Sequence, residues 1–304
     1  MRKRGCVMQQ KSFGSQLFRI AGPVLVQWAA GLFVNICAST YWMASHMGEF
    51  LKASQDEQAI MDFTMKMMEN MLKYSTLITT ITAVITLPIV CFMFFRDRKK
   101  EKEAGTIQKQ VKVWKYWPII LLGVAACIAV NNLLVLYQAA FPSATYETTT
   151  QSLYQAGFVL QVIGLGILIP AAEEMVYRGL LYSRLKETMK RGWAMFYCAM
   201  VFGLFHGNSV QLIYGCAVSV AMCYLYDKYG SVKAPVFGHM VLNMTSLILT
   251  KAGTMEWIFA TPLRMGIVTV LCAAVAAAMF LAIQTIKGRD EDDQIPKPEN
   301  LTTM

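Results

Sequence analysis

A succession of apolar stretches, separated by polar or basic turns and mostly matched to the thickness of a bilayer, decides what this chain can fold into. In order, they fall at about residues 20–43, 74–95, 117–140, 153–185, 193–205, 212–226, 232–249 and 265–286. Over 304 residues, 56% are hydrophobic and 15% charged, and the mean hydropathy is +0.42. A soluble domain carries about 25% charged residues, so a water-soluble core is excluded. In lipid, each backbone polar group must be paired inside its own segment. The chain is therefore expected to be an all-α, polytopic transmembrane helix bundle of about eight spans.

The net charge of +9 would suit a nucleic-acid binder. Its basic residues, however, sit between apolar runs rather than in one patch, which suits loops facing an anionic leaflet. Nucleic acid is set aside, and the lipid bilayer is the expected partner. Arg2, Lys3, Arg4 and Lys11, the segments 96–115, 184–191 and 228–233, and the end 287–289 are the basic segments. With eight spans they all fall on one side, which predicts a multi-pass protein of the cell membrane with both termini in the cytoplasm. The first run carries Gln27 and Asn35 and is long for a cleaved leader, so it reads as an uncleaved span. Seven of the eight cysteines lie in apolar segments without CxxC spacing, and read as small core residues.

Between the first two spans, Ser54-Gln55-Asp56-Glu57 fits a capping box. Met61, Met65, Met68 and Leu72 follow at helical spacing, with Ile60, Phe63, Met67 and Met71 widening the apolar face. This predicts an amphipathic helix, either lying on the membrane or packed on the bundle. The short connection 141–152 carries no Lys or Arg. Residues 153–185 are too long for one straight span. At about 1.5 Å per residue they would reach roughly 50 Å, and Gly164, Gly166 and Pro170 are the expected break points. Asn131 and Asn132 read as interhelical hydrogen-bonding residues.

Ionisable residues at membrane depth are costly and mark functional sites. Glu173-Glu174-Met175-Val176-Tyr177-Arg178 follows directly on an apolar run. Residues four apart share a helix face, so Glu174 can pair with Arg178, while Glu173 is turned about 100° away and stays available. Of the three histidines, His46 lies in the first outer loop, and His206 and His239 lie in spans. Glu173 precedes the turn at Lys190 by 17 residues and His206 follows it by 16, so an antiparallel hairpin brings them to similar depth. His239 and Asn243 share one face and both can donate to an oxyanion. Depth counting does not bring His239 beside His206 unless a kink, tilt or shortened fifth span intervenes. A helix-end carboxylate pair that snorkels to the interface is the bland alternative.

Glu173-Glu174-x-x-x-Arg178, Phe202-x-x-x-His206 and His239-x-x-x-Asn243, in that order and in apolar helices, resemble the three motifs of the CPBP family. These are the CAAX protease and bacteriocin-processing intramembrane proteases, also called the Abi family. The resemblance covers about residues 167–247. It implies that Glu173 activates a water, that His206 assists or holds it, and that His239 with Asn243 stabilises the oxyanion. Glu174 and Arg178 would shape the site or contact substrate, with Phe202 in the second motif. The family has been read both as metal-independent glutamate proteases and as zinc metalloproteases. The residues' roles favour the glutamate mechanism; zinc on Glu173, His206 and His239 stays open as the second reading. The expected partner is a peptide or membrane-protein substrate. The alternatives are a non-catalytic membrane regulator or scaffold, a bacteriocin self-immunity protein, or a transporter with Glu173 as proton relay. The expected organisation is 1–152 with three spans, the outer helix and the basic loop; 153–250 as the CPBP-like catalytic core; 251–288 as the last span; and 289–304 as a disordered acidic tail.

Overall fold

The computed structural model describes residues 13–106 and 110–286; the expected acidic tail and the basic N-terminal residues lie outside them. Twelve helices and no strand occur among the described residues. They are α1 (Phe13–Ser45), α2 (Met47–Ala53), α3 (Glu57–Lys73), α4 (Ser75–Glu103), α5 (Trp117–Ala140) and α6 (Ala144–Tyr154). The long α7 (Phe158–Leu185) follows, then α8 (Arg191–Leu204), α9 (Ser209–Tyr229), α10 (Lys233–Lys251), α11 (Thr254–Phe259) and α12 (Pro262–Thr285). Six of them, α1, α4, α5, α7, α9 and α12, are long and apolar enough to cross a membrane. The chain is a multi-pass, all-α membrane protein. The other two expected spans are helices as well, but α8 has only 14 residues, about 21 Å. The count of eight is therefore approximate.

The polar connections hold more helix than their composition predicts. The short connection 141–152 is mostly taken up by α6, whose Ser143 cap accepts a hydrogen bond from Tyr146 N. The basic stretch after residue 95 begins as a continuation of α4 to Glu103. Within it Asp97 is buried as the partner of Arg184, at 2.7 Å. Arg184 also donates to the backbone carbonyl of Arg19, and Arg19 pairs with Glu187. The ends of α1, α4 and α7 are thus tied together by charge-assisted bonds, and α1 is held against α7.

The cap of α3 is Asp56, not Ser54: Asp56 accepts from Ala59 N at 2.9 Å, while Ser54 Oγ donates back to Leu51 O. The nearer carboxylate captures the free N–H groups of the first turn, so the expected box does not form. Of the two expected placements, the helix is packed on the bundle through one residue of its apolar face. Phe63 is buried against Trp42 and Phe50, whereas Met61, Met65, Met68 and Leu72 form a separate, exposed stripe. On the polar side, Lys66 donates to Glu49 at 2.7 Å and holds that carboxyl below its ordinary range. His46 belongs to this cluster, stacked on Trp42.

At the far side of the bundle, α12 packs on α5. Asn132 is buried there and donates to Thr269 Oγ1 at 2.8 Å, the interhelical bond its position suggests. Asn131 instead bonds the Cys127 carbonyl of its own helix, because its side chain points along α5 rather than across.

The central element is α7. It contacts α1, α4, α8, α9 and α10, and its residues Val176, Leu180 and Tyr182 are fully buried with Cys198 and Cys223. Without a strong hydrophobic drive between helices in lipid, such packing rests on close approach and on polar bonds. Gly164 and Gly166 permit that approach. A Cβ at Gly164 would lie 2.1 Å from Thr80 Oγ1 of α4, and one at Gly166 2.4 Å from Met244 Sδ of α10.

Candidate active site

The local geometry of α7 is set by its break points. Two π-helical stretches, Gly164–Leu168 and Met175–Tyr182, flank the short α-helical turn Ile169–Glu174 that carries both carboxylates. Such wide turns recur at functional sites. In the first of them, Ile169 N bonds Gly164 O. In that register the donor for Leu165 O would be residue 170, which is a proline and has no N–H. Asn243 Nδ2 of α10 takes the place, donating to Leu165 O at 2.8 Å. The kink and one interhelical contact are therefore the same event.

Glu174 and Arg178 are fully buried and paired, Arg178 Nη1 to Glu174 Oε1 at 2.9 Å, as the i,i+4 spacing predicts. The guanidinium lies over the Phe202 ring, 4.6 Å from its centroid. Phe202 meets Tyr177 edge-on at 5.0 Å and stands 4.7 Å from the His206 ring and 6.3 Å from that of His239. Phe202 is thus the apolar hub between the three motifs.

His239 donates from Nδ1 to Glu174 Oε1 at 2.8 Å, which turns Nε2 toward Glu173 Oε2, 3.8 Å away. Depth counting left this residue unplaced. The structure sets it against both carboxylates of α7, with α8 short and the turns of α7 wide. His206 lies beyond the end of α8, just before Gly207, whose φ of +80° turns the chain toward α9. Its Nδ1 is 2.7 Å from Phe202 O, and since a carbonyl only accepts, Nδ1 carries the proton and Nε2 is left as the acceptor.

Glu173 and His206 line one cavity of about 450 Å³ with Tyr177 and Phe205, a size ordinary for a ligand site. The opposite wall comes from α1 and α4, with Gln27, Trp28, Gly31 and Asn35 on the first and Thr79 and Thr82 on the second. Of the other predicted site residues, Phe202, His239, Glu174, Arg178 and Asn243 are not in the lining, and His239 approaches it through its contact with Glu173. Sequence reasoning used Gln27 and Asn35 only against a cleaved leader. Their spacing with Gly31, four residues at each step, was the available signal of a shared face.

The donor set does not gather around a metal. Among the described residues, no three His, Cys, Asp or Glu side chains stand close enough together to hold an ion. Both His239 nitrogens are directed at carboxylates. The residues in this arrangement do not fit the zinc reading, and no step is assigned to a metal.

Residues 155–245 match the family model Type II CAAX prenyl endopeptidase Rce1-like. A protein of Bacillus subtilis (strain 168) named "Putative membrane peptidase YdiL" is 24% identical over 90 residues, a match that spans 30% of this chain and 37% of that protein. No solved structure matches. The matched stretch begins just before α7, ends within α10, and holds all three motifs, while α1 and α4 lie outside it. The likeness to the CPBP family carried by the three motifs is thus matched by an Rce1-like family model over residues 155–245.

Proposed function

We propose that this protein is an intramembrane endopeptidase that hydrolyses a peptide bond of a membrane-associated or peptide substrate with a water activated by Glu173. The observation that carries the reading is the division of labour between adjacent carboxylates. Glu174 is withdrawn into a buried ion pair, whereas Glu173 faces a cavity shared with His206, with His239 Nε2 3.8 Å away. Glu173 takes a proton as the water oxygen attacks the carbonyl carbon, and returns it to the leaving amine. His206 Nε2 accepts a hydrogen bond from the same water. Protonated on both nitrogens, His239 donates from Nε2 to the developing oxyanion, held in place by Glu174 behind it. Asn243 spends one N–H on Leu165 O, so its part is to fix α10 against α7 with at most one N–H left for the oxyanion. The basic connections between spans support a cut toward the cytoplasmic side, with both termini on that side.

The test compares membranes of cells bearing the wild type with those bearing Glu173→Ala, by mass spectrometry of new protein N-termini. New termini that depend on Glu173 support the reading. Identical terminus profiles, combined with a proton flux in proteoliposomes that Glu173→Ala stops, would replace it with transport.

A further inference from the structure

The peptidase reading names the reacting groups but not what holds the substrate against them, and the residues matching the family model supply only one wall of the cavity. The other wall is largely a single face of α1. Val24, Gln27, Trp28, Gly31, Leu32 and Asn35 recur at three- and four-residue steps and all line the cavity. Gln27 and Asn35 stand eight residues apart, about 12 Å along the helix. An extended peptide covers that distance in roughly four residues. Between them Gly31 leaves the wall low, and a Cβ there would touch Thr82 Cγ2 at 3.6 Å.

The polar groups of this wall differ in one respect. Asn35 Nδ2 donates to Gly31 O at 2.9 Å, Thr79 Oγ1 to Ser75 O and Thr82 Oγ1 to Ile78 O, each within its own helix. Gln27 Oε1 is enclosed and has no hydrogen-bond partner among the described residues. A buried acceptor without a donor is costly. The terminal torsion of a Gln side chain is soft, so its carboxamide can turn into the cavity at little expense. There it presents an acceptor and two donors, the complement of a peptide group.

We infer that α1 is the substrate-binding wall, along which a peptide segment lies extended, and that Gln27 is a positioning residue that hydrogen-bonds a backbone peptide group of that segment beside Glu173. The substrate class is a locally unwound chain, because a helical segment has no backbone group to offer. The inference rests on the peptidase reading for its substrate, but it makes a separate prediction about binding.

The experiment uses the full chain in detergent micelles and fluorescein-labelled peptides from casein, an unfolded protein, as the probe. Affinity is read by anisotropy on Glu173→Gln, alone and combined with Gln27→Met or Gln27→Glu. Turnover is read separately on the otherwise wild-type chain with and without Gln27→Met. Met matches the length of Gln without its carbonyl. Loss of one hydrogen bond to the peptide weakens binding and raises KM about fivefold to tenfold, with kcat changed by less than twofold. Gln27→Glu keeps an acceptor and retains most of the affinity. Melting temperature of Gln27→Met stays equal or rises, since an unpaired buried carbonyl is removed; a merely structural role predicts a fall. Affinity unchanged in Gln27→Met overturns the inference even if the peptides are cleaved. Gln27-dependent binding without any cleavage supports the wall and contradicts the peptidase reading. No binding to any of the variants overturns both.

Discussion

Glu174 Oε1 is shared by Arg178, at 2.9 Å, and by His239, at 2.8 Å. One carboxylate oxygen thus joins the first motif to the third across α7 and α10, and does so with no exposure of the acid or the guanidinium. Removing one partner of a buried pair leaves a charge without compensation, at a cost of about 3–5 kcal/mol. Arg178→Met leaves Glu174 only its bond to His239 and is expected to destabilise the protein by up to about that amount in denaturant titrations in micelles. Glu174→Leu combined with Arg178→Met is expected to recover much of the stability but not activity, because His239 loses its anchor. Full activity in the double variant would show that the anchor is dispensable.

The Leu165 carbonyl links Pro170 to Asn243. Asn243→Leu leaves that carbonyl unpaired inside the bundle, with an expected loss of about 1–3 kcal/mol. Pro170→Ala restores a backbone N–H that can serve Leu165 O. In the Asn243→Leu background it is expected to return part of the lost stability, whereas alone it changes little. A double-mutant cycle measures the coupling, and additive effects would contradict the shared carbonyl.

Because no trio of ligands gathers at the site, peptide cleavage is expected to survive dialysis against a chelator, with metal content checked by mass spectrometry. Activity lost on dialysis and restored by zinc alone would return the metal reading.

Much of this was legible from spacing. The pairing of Glu174 with Arg178 follows from four-residue separation, and the common cavity of Glu173 and His206 from their similar distances to the turn at Lys190. The approach of His239 was not legible, since counting depth assumes a uniform helix. Two π-helical stretches in α7 and a 14-residue α8 change the register by amounts that hydropathy does not encode. Gly164, Gly166 and Pro170 marked where the helix would depart from regularity, but not that Asn243 would answer the proline. Short polar helices such as α6 were missed because their Thr-rich sequence carries no apolar period. Burial of Asp97 was missed because its partner, Arg184, lies 87 residues away.

The central claim is that Glu173, and not Glu174, is the base. Its most direct measurement is cleavage of a fluorogenic peptide by purified protein in proteoliposomes, comparing wild type with Glu173→Gln and His206→Ala at matched folded protein. The account predicts turnover by the wild type, a loss of at least a hundredfold in Glu173→Gln and a loss of about 10²-fold or more in His206→Ala, with melting temperatures unchanged in both. Wild-type turnover in Glu173→Gln would contradict it.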